Sequence, residues 1–151
     1  MASLVYNAFK AKSASGLIDL DTDTIKVMLV AAGYVPDADD EFVDEGGADD
    51  PIDHEISVTG YTGGFGGSGR KTIALTVTKD NANDRAVVDG PDQTWTALGA
   101  GATIAGAVFI KEGTDDTDTE LIFYVDLAPD TATNGNDFTA AWDAVGIATF
   151  T

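Results

Sequence analysis

The chain has no cysteine, so no disulfide framework and no thiolate chemistry enter its design. Any stability outside a cell has to come from packing or assembly. It has one histidine, His54, which cannot build a metal site with histidine partners and lies among acids (Asp53, Glu55) with no serine beside it. A surface position is expected for it, and no activated nucleophile is legible. No run comes near the roughly 18 apolar residues that span a bilayer, so no membrane partner is expected. The opening Met1 to Lys12 places its lysines after its apolar residues, unlike a secretory signal. Basic residues are few: eight Lys and Arg face 26 Asp and Glu, a formal charge of −18 on 151 residues. Direct nucleic-acid binding needs cations to replace the counterions of phosphates, and this balance argues against it.

What is present is small and β-forming. Apolar residues are 44% of the chain, enough for a core despite the charge. Seventeen glycines accompany many Thr, Val and Ala, a composition of strands and tight turns. The length is that of one domain. Ten of the acids fall between Asp37 and Glu55, a stretch without Lys or Arg. Residues 35–55 therefore read as an acidic excursion loop pointing to solvent, anchored by Phe42 and Val43.

Residues 1–16 read as an N-terminal helix or arm. Leu4, Val5, Ala8, Phe9 and Lys12 recur at helical spacing, Ser3 stands as a cap and Gly16 as a stop. Lys10 and Lys12 make it locally basic. Thr24 to Ala32 reads as a strand apolar on both faces at its second half. Further strands are expected at Ile56 to Tyr61, Thr72 to Lys79, Arg85 to Asp89 and Thr94 to Leu98, the last with Trp95 as a core anchor. Ala102 to Lys111 and Glu120 to Leu127 read as a hairpin. Phe138 to Trp142 and Gly146 to Thr151 close the chain as a pair. About eight or nine short strands and one helix predict an all-β sandwich or small barrel, a single domain over 1–151.

Two motifs invite chemistry. Gly64 to Thr72 (GFGGSGRKT) approaches a phosphate-binding loop, but Arg70 stands where the lysine belongs and Thr72 opens an alternating strand rather than a helix. A glycine-rich β-connection is expected, and no cofactor. Asp19, Asp21 and Asp23 form D-x-D-x-D, yet Thr24 and Val30 occupy the positions where a calcium loop needs Gly and Glu. These acids, like Asp115, Asp116, Asp118 and Glu120, are expected as solvated turns, with weak structural Ca²⁺ as the alternative. Trp95 and Trp142 fall within expected strands, so packing is favoured over a carbohydrate platform.

Several segments resemble the small virion structural proteins of tailed bacteriophages. They are Leu4 to Lys10 (LVYNAFK), Ile18 to Val30 (IDLDTDTIKVMLV), Thr59 to Gly64 (TGYTGG), Val77 to Val87 (VTKDNANDRAV), Ala107 to Lys111 (AVFIK) and Phe138 to Ile147 (FTAAWDAVGI). They run in that order over most of the chain and are structural rather than catalytic signatures. The resemblance implies a non-enzymatic decoration or cement protein on the outer capsid surface. Its implied partners are the major capsid protein and copies of itself in a homotrimer. A tail, baseplate or fibre component is the alternative within that class. A carbohydrate- or Ca²⁺-dependent β-sandwich binding module is the alternative outside it. Within the resemblance, the shell-contacting residues are expected in the N-terminal segment: Leu4, Val5, Tyr6, Phe9, Lys10 and Lys12.

Overall fold

The computed structural model describes residues 3–151 and is all-β, with ten strands, two helices and three antiparallel sheets. In chain order the elements begin with β1 (Leu4–Val5), α1 (Asn7–Ala14), β2 (Ile25–Ala31) and α2 (Pro51–His54). β3 (Lys71–Ile73), β4 (Thr76–Asp80), β5 (Arg85–Asp89) and β6 (Gln93–Trp95) follow. β7 (Thr103–Lys111), β8 (Glu120–Ala132), β9 (Phe138–Ala140) and β10 (Ala148–Phe150) complete the chain. The main sheet runs β1-β8-β7-β2-β3, a second runs β10-β5-β4, and β6 pairs with β9.

The long hairpin β7–β8 is the spine. Val108 faces Tyr124 and Phe109 faces Phe123 across it, and the buried stretches are Gly106 to Ile110 in β7 and Leu121 to Val125 in the first half of β8. β2 lies against β7 with Val27 opposite Phe109, and Val27 to Val30 are all buried, as the double-sided apolar run requires. One continuous core draws on all three sheets: Ile25 and Phe109 from the first, Val88 and Ala148 from the second, Trp95 and Ala140 from the third. At Gly106 in β7 a Cβ would collide with the ring of Tyr124 from β8, so the aromatic covers a gap that only glycine leaves open. Gly106→Ala is expected to cost about 1–3 kcal/mol, the usual scale of overpacking, measured by urea unfolding. A loss under half a kcal/mol would show that the ring yields freely.

Several expectations change. Leu4 and Val5 are not helical; they pair with Tyr124 and Phe123 as an edge strand. The helix starts at Asn7 behind Tyr6, with no side-chain cap from any residue, so Ser3 is not its cap. Tyr6 turns inward instead and its hydroxyl meets that of Tyr34 at 2.7 Å. The stop at Gly16 holds. Gly16 has φ 74°, its N–H bonds Ser13 C=O, and Leu17 N–H reaches Lys12 C=O, the paired bonds that close a helix on a left-handed glycine.

Thr72 to Lys79 is not one strand. β3 pairs with β2 and β4 with β5, so the chain changes sheets near Ala74 while keeping its alternation. Period-two patterning reports which side is buried, not which partner is bonded. Ile56 to Tyr61 is not a strand but a turn closed by Val58 and Tyr61. The last two strands do not pair with each other, because β9 joins β6 and β10 joins β5.

Candidate functional site

Starting from the N-terminal residues singled out above, the structure divides them. Tyr6 is 0% and Phe9 2% exposed, and Phe9 packs edge-on to Phe123 with ring centroids 6.4 Å apart. Both side chains are spent on the chain's own core and offer no contact surface. Leu4 and Val5 are half-buried in the edge strand. Lys12 lies 2.7 Å from both Glu41 and Glu120 and above the ring of Phe42. Burial works against its charge, but the two carboxylates outweigh it and raise its pKa. Only Lys10 stands exposed with no acid partner, bonded to Asn7 Oδ1 at 3.0 Å.

The acidic excursion is docked rather than free. Val43 is fully buried, its N–H bonds Thr119 C=O, and Leu121 N–H bonds Glu41 C=O. Asp50 faces inward, 7% exposed, accepting the N–H groups of Glu45 and Gly47 at 2.8 Å. His54 is largely covered instead of lying on the surface; its ring packs 5.6 Å from that of Tyr34 and its Nε2 lies 3.7 Å from Asp49 Oδ1.

The excursion ends in a charge hub that sequence reading missed. The Arg70 side chain is fully buried. Its Nε and Nη2 grip Glu55 at 3.0 and 2.8 Å, and Nη1 grips Asp116 Oδ1 at 2.6 Å. Glu55 also accepts the Tyr61 hydroxyl at 2.9 Å and Gly64 N–H at 2.7 Å. Phe65 N–H donates to Asp116 Oδ2, and Tyr61 Oη accepts Leu29 N–H from β2. All four carboxylate oxygens therefore have donors. Burial disfavours the guanidinium's charge, but Glu55 and Asp116 reverse this and raise its pKa. Burial above all pushes the Tyr61 hydroxyl well above its ordinary range. One arginine thus ties the excursion, the glycine run, the β7–β8 connection and the centre of the main sheet. The glycines serve close approach: a Cβ at Gly69 would enter the Tyr61 ring. No helix follows the run, which leads into β3, so it lacks the helix N-terminus a phosphate loop uses.

Of the two acidic motifs, Asp116 and Glu120 are not solvated turn residues, since Arg70 and Lys12 hold them, and the remaining acids cap turns. Asp19 accepts Asp21 N–H, Asp21 accepts Val77 N–H, and Asp23 accepts Asp19 N–H and the Lys111 ammonium. Asp118 accepts from Thr114 and Asp115, and Asp115 accepts from Thr117. Among the described residues no cluster of three or more His, Asp or Glu is arranged to hold a metal ion.

These caps set the sign of the acid response. Backbone donation from Asp19, then Lys111, holds the Asp23 carboxyl low. Asn83 and Arg85 hold Asp80 low, and Asp115 N–H with Thr114 holds Asp118 low. A carboxyl lower in the folded state contributes in full above its unfolded value of about 3.9 and loses that contribution as pH falls through the folded value. Asp40 is the opposite: burial, then Asp37, Glu45 and Asp50, raise it. Asp40→Asn is expected to raise Tm at pH 7 by about 1–2 °C, the scale of a surface substitution. The gain should close as pH falls through the raised folded pKa of Asp40. A gain that persists at pH 3, or a loss at pH 7, would contradict this; scanning calorimetry at both pH values reads it.

No protein-family model, curated protein or solved structure matches the chain.

Proposed function

We infer that the chain is a non-enzymatic structural protein of a tailed-phage particle, carried on the outer capsid surface as a decoration protein. Oligomers, as a homotrimer, bridge neighbouring copies of the major capsid protein and resist the outward pressure of packaged DNA. The resemblance of the segments quoted above supports the particle reading. The observation that carries its orientation is where the cations go. Of eight Lys and Arg, five (Lys12, Lys26, Arg70, Arg85 and Lys111) are held in ion pairs within the chain. They act as staples, each matched by an acid within the fold, and the acids left over give the chain its net charge of −18. A surface of that charge suits the outside of a particle, where it keeps particles apart, and suits a DNA-facing wall badly.

The test is electron cryo-microscopy of particles that contain this chain. Density for it is expected over the outer capsid in hundreds of copies. Density on the tail alone, or particles lacking the chain altogether, would overturn the proposal. Within the monomer, Leu4, Val5 and Lys10 remain the residues of the N-terminal segment open to a shell contact, since Tyr6 and Phe9 lie in the core and Lys12 is held by Glu41 and Glu120.

A further inference from the structure

The connection between β8 and β9 carries the chain's one Asn-Gly pair, Asn134 and Gly135. Ahead of glycine, an asparagine side-chain amide is most readily attacked by the following main-chain nitrogen, because no β-carbon shields that nitrogen. The other four asparagines precede Ala8, Ala82, Asp84 and Asp137. Both residues of the pair are exposed, and nothing lies within 4 Å of where a Gly135 Cβ would stand. Water therefore has free access to the reacting groups.

The nucleophile, however, is held. Gly135 N–H donates to Leu98 C=O at 2.6 Å, and Leu98 N–H returns to Asn136 C=O at 3.0 Å. Just before the pair, Thr133 N–H donates to Ala102 C=O at 2.9 Å. The electrophile is held as well, since Asn134 Oδ1 accepts Asn136 N–H at 3.1 Å. Ring closure needs the Gly135 nitrogen above the face of Asn134 Cγ, at about 3–3.5 Å, with its proton gone. That proton cannot leave while it lies on Leu98. The restraint sits at the least anchored part of the fold. Leu98 follows β6 and Asn136 precedes β9, two three-residue strands that form a sheet of their own. A ribbon of that size opens locally more readily than a large buried sheet.

We propose that Asn134 is a site of spontaneous modification gated by opening of the Leu98–Gly135 hydrogen bond, and that its β-linked product unfastens the β6–β9 ribbon. When the bond opens, the Gly135 nitrogen loses its proton to solvent and attacks Asn134 Cγ. The N–Cγ bond forms and the Cγ–Nδ2 bond breaks. Nδ2 takes up a proton and leaves as ammonia, and a five-membered imide remains. Water then opens the imide. Cleavage of N–Cγ leaves aspartate. Cleavage between the nitrogen and the Asn134 main-chain carbon leaves isoaspartate, whose main chain runs through Cβ and Cγ. Water is the only co-reactant, and either product adds one negative charge. Aspartate keeps the acceptor for Asn136 N–H. Isoaspartate lengthens the main chain by one methylene between Thr133 and Gly135, so the bonds to Ala102 and Leu98 lose their common register. The reaction stands apart from the virion reading.

The test is incubation of the intact chain at mildly alkaline pH, natively and in urea, with peptide mapping by mass spectrometry to place and type each product. In the native chain Asn134 is expected to convert ahead of the other four asparagines, to a mixture of aspartate and isoaspartate. In urea it should convert at least about tenfold faster, because opening in the native state costs free energy and each 1.4 kcal/mol or so is a factor of about ten. Trp95→Ala removes the ring opposite Phe138 in the ribbon. It should speed native conversion at Asn134 by about tenfold and leave Asn81 and Asn83 unchanged, with the milder Trp95→Phe in between. Asn134→Gln should abolish the product there, since its ring would be one atom larger. In the isoaspartate fraction, amide exchange at Thr94 and Thr139 should exceed that of the unmodified chain. Faster native conversion at any other asparagine, equal rates with and without urea, or a rate indifferent to both Trp95 substitutions would overturn the gated site. Unchanged ribbon exchange in the isoaspartate fraction would overturn its structural consequence.

Discussion

Arg70→Met is expected to destabilise the chain by about 3–5 kcal/mol, the cost of stranding a buried charge by removing its partner. Two charges are stranded at once. Glu55 has a side chain 2% exposed and Asp116 one 14% exposed, and neither can turn to water without releasing Gly64 or Phe65 from the glycine run. At roughly 2–4 °C per kcal/mol for a chain of this size, Tm should fall by about 10 °C. Arg70→Lys should recover only part of this, because one ammonium cannot reproduce the two-pronged contact with Glu55 together with the third bond to Asp116. Neutralising the acids as well, in the variant Arg70→Met, Glu55→Gln, Asp116→Asn, should recover more, since amides cost less than carboxylates to leave buried. Urea unfolding of the three variants reads the order. A single Met variant within 1 kcal/mol of wild type would show that water reaches the acids and that the hub is not a clamp.

That hub marks the limit of what the sequence discloses. Strands that alternate or run apolar on both faces were legible, and β2, β5, β7 and the start of β8 lie where the pattern puts them. The all-β class, the helix within the N-terminal segment and its Gly16 stop follow from the same local rules. Sheet membership does not. Ile73, Leu75 and Val77 form one unbroken alternation, yet Lys71–Ile73 and Thr76–Asp80 sit in different sheets, because pairing is decided by partners far along the chain. The hub is hidden for the same reason: Arg70 lies 15 residues from Glu55 and 46 from Asp116. One signal was available. An arginine closing six glycines in ten residues, in a chain with so few cations, is costly to leave idle, and a buried arginine needs acids. Within the N-terminal segment, helical spacing correctly marked Phe9 as facing inward but could not distinguish the chain's own core from a partner's surface. Tyr6 and Phe9 belong to the former.

Trp95→Ala is the other large expected loss, about 3–5 kcal/mol for a buried aromatic truncated to a methyl group, and it should be local before it is global. Trp95 is 1% exposed and stands in β6, a three-residue strand whose one partner, β9, is equally short. A two-stranded ribbon of that length has no stability of its own. The indole is its most deeply buried attachment to the body, beside the Lys71 ammonium on Thr94 C=O and the Trp142 ring against Phe109. The Trp95 ring lies between Phe138 at 6.2 Å and Tyr61 at 6.5 Å, and its Nε1–H donates to Gly69 C=O at 2.6 Å. Truncation empties that space and leaves a buried carbonyl without its donor. Amide exchange at Thr94 and Thr139, which face each other across the ribbon, should therefore accelerate more than exchange at Val108 or Phe123 in the main sheet. Trp95→Phe keeps most of the packing and loses the donor, so its cost should fall to about 1–3 kcal/mol, the range for an unsatisfied buried acceptor. Tyr61 connects this site to the hub through its contacts with Trp95 and Glu55. The double variant with Arg70→Met should then depart from additivity by about 0.5–3 kcal/mol, as for residues sharing a neighbour. Strict additivity would mean that Tyr61 holds its place from β2 alone, through Leu29 N–H, and that the ribbon and the hub are independent attachments to the same sheet.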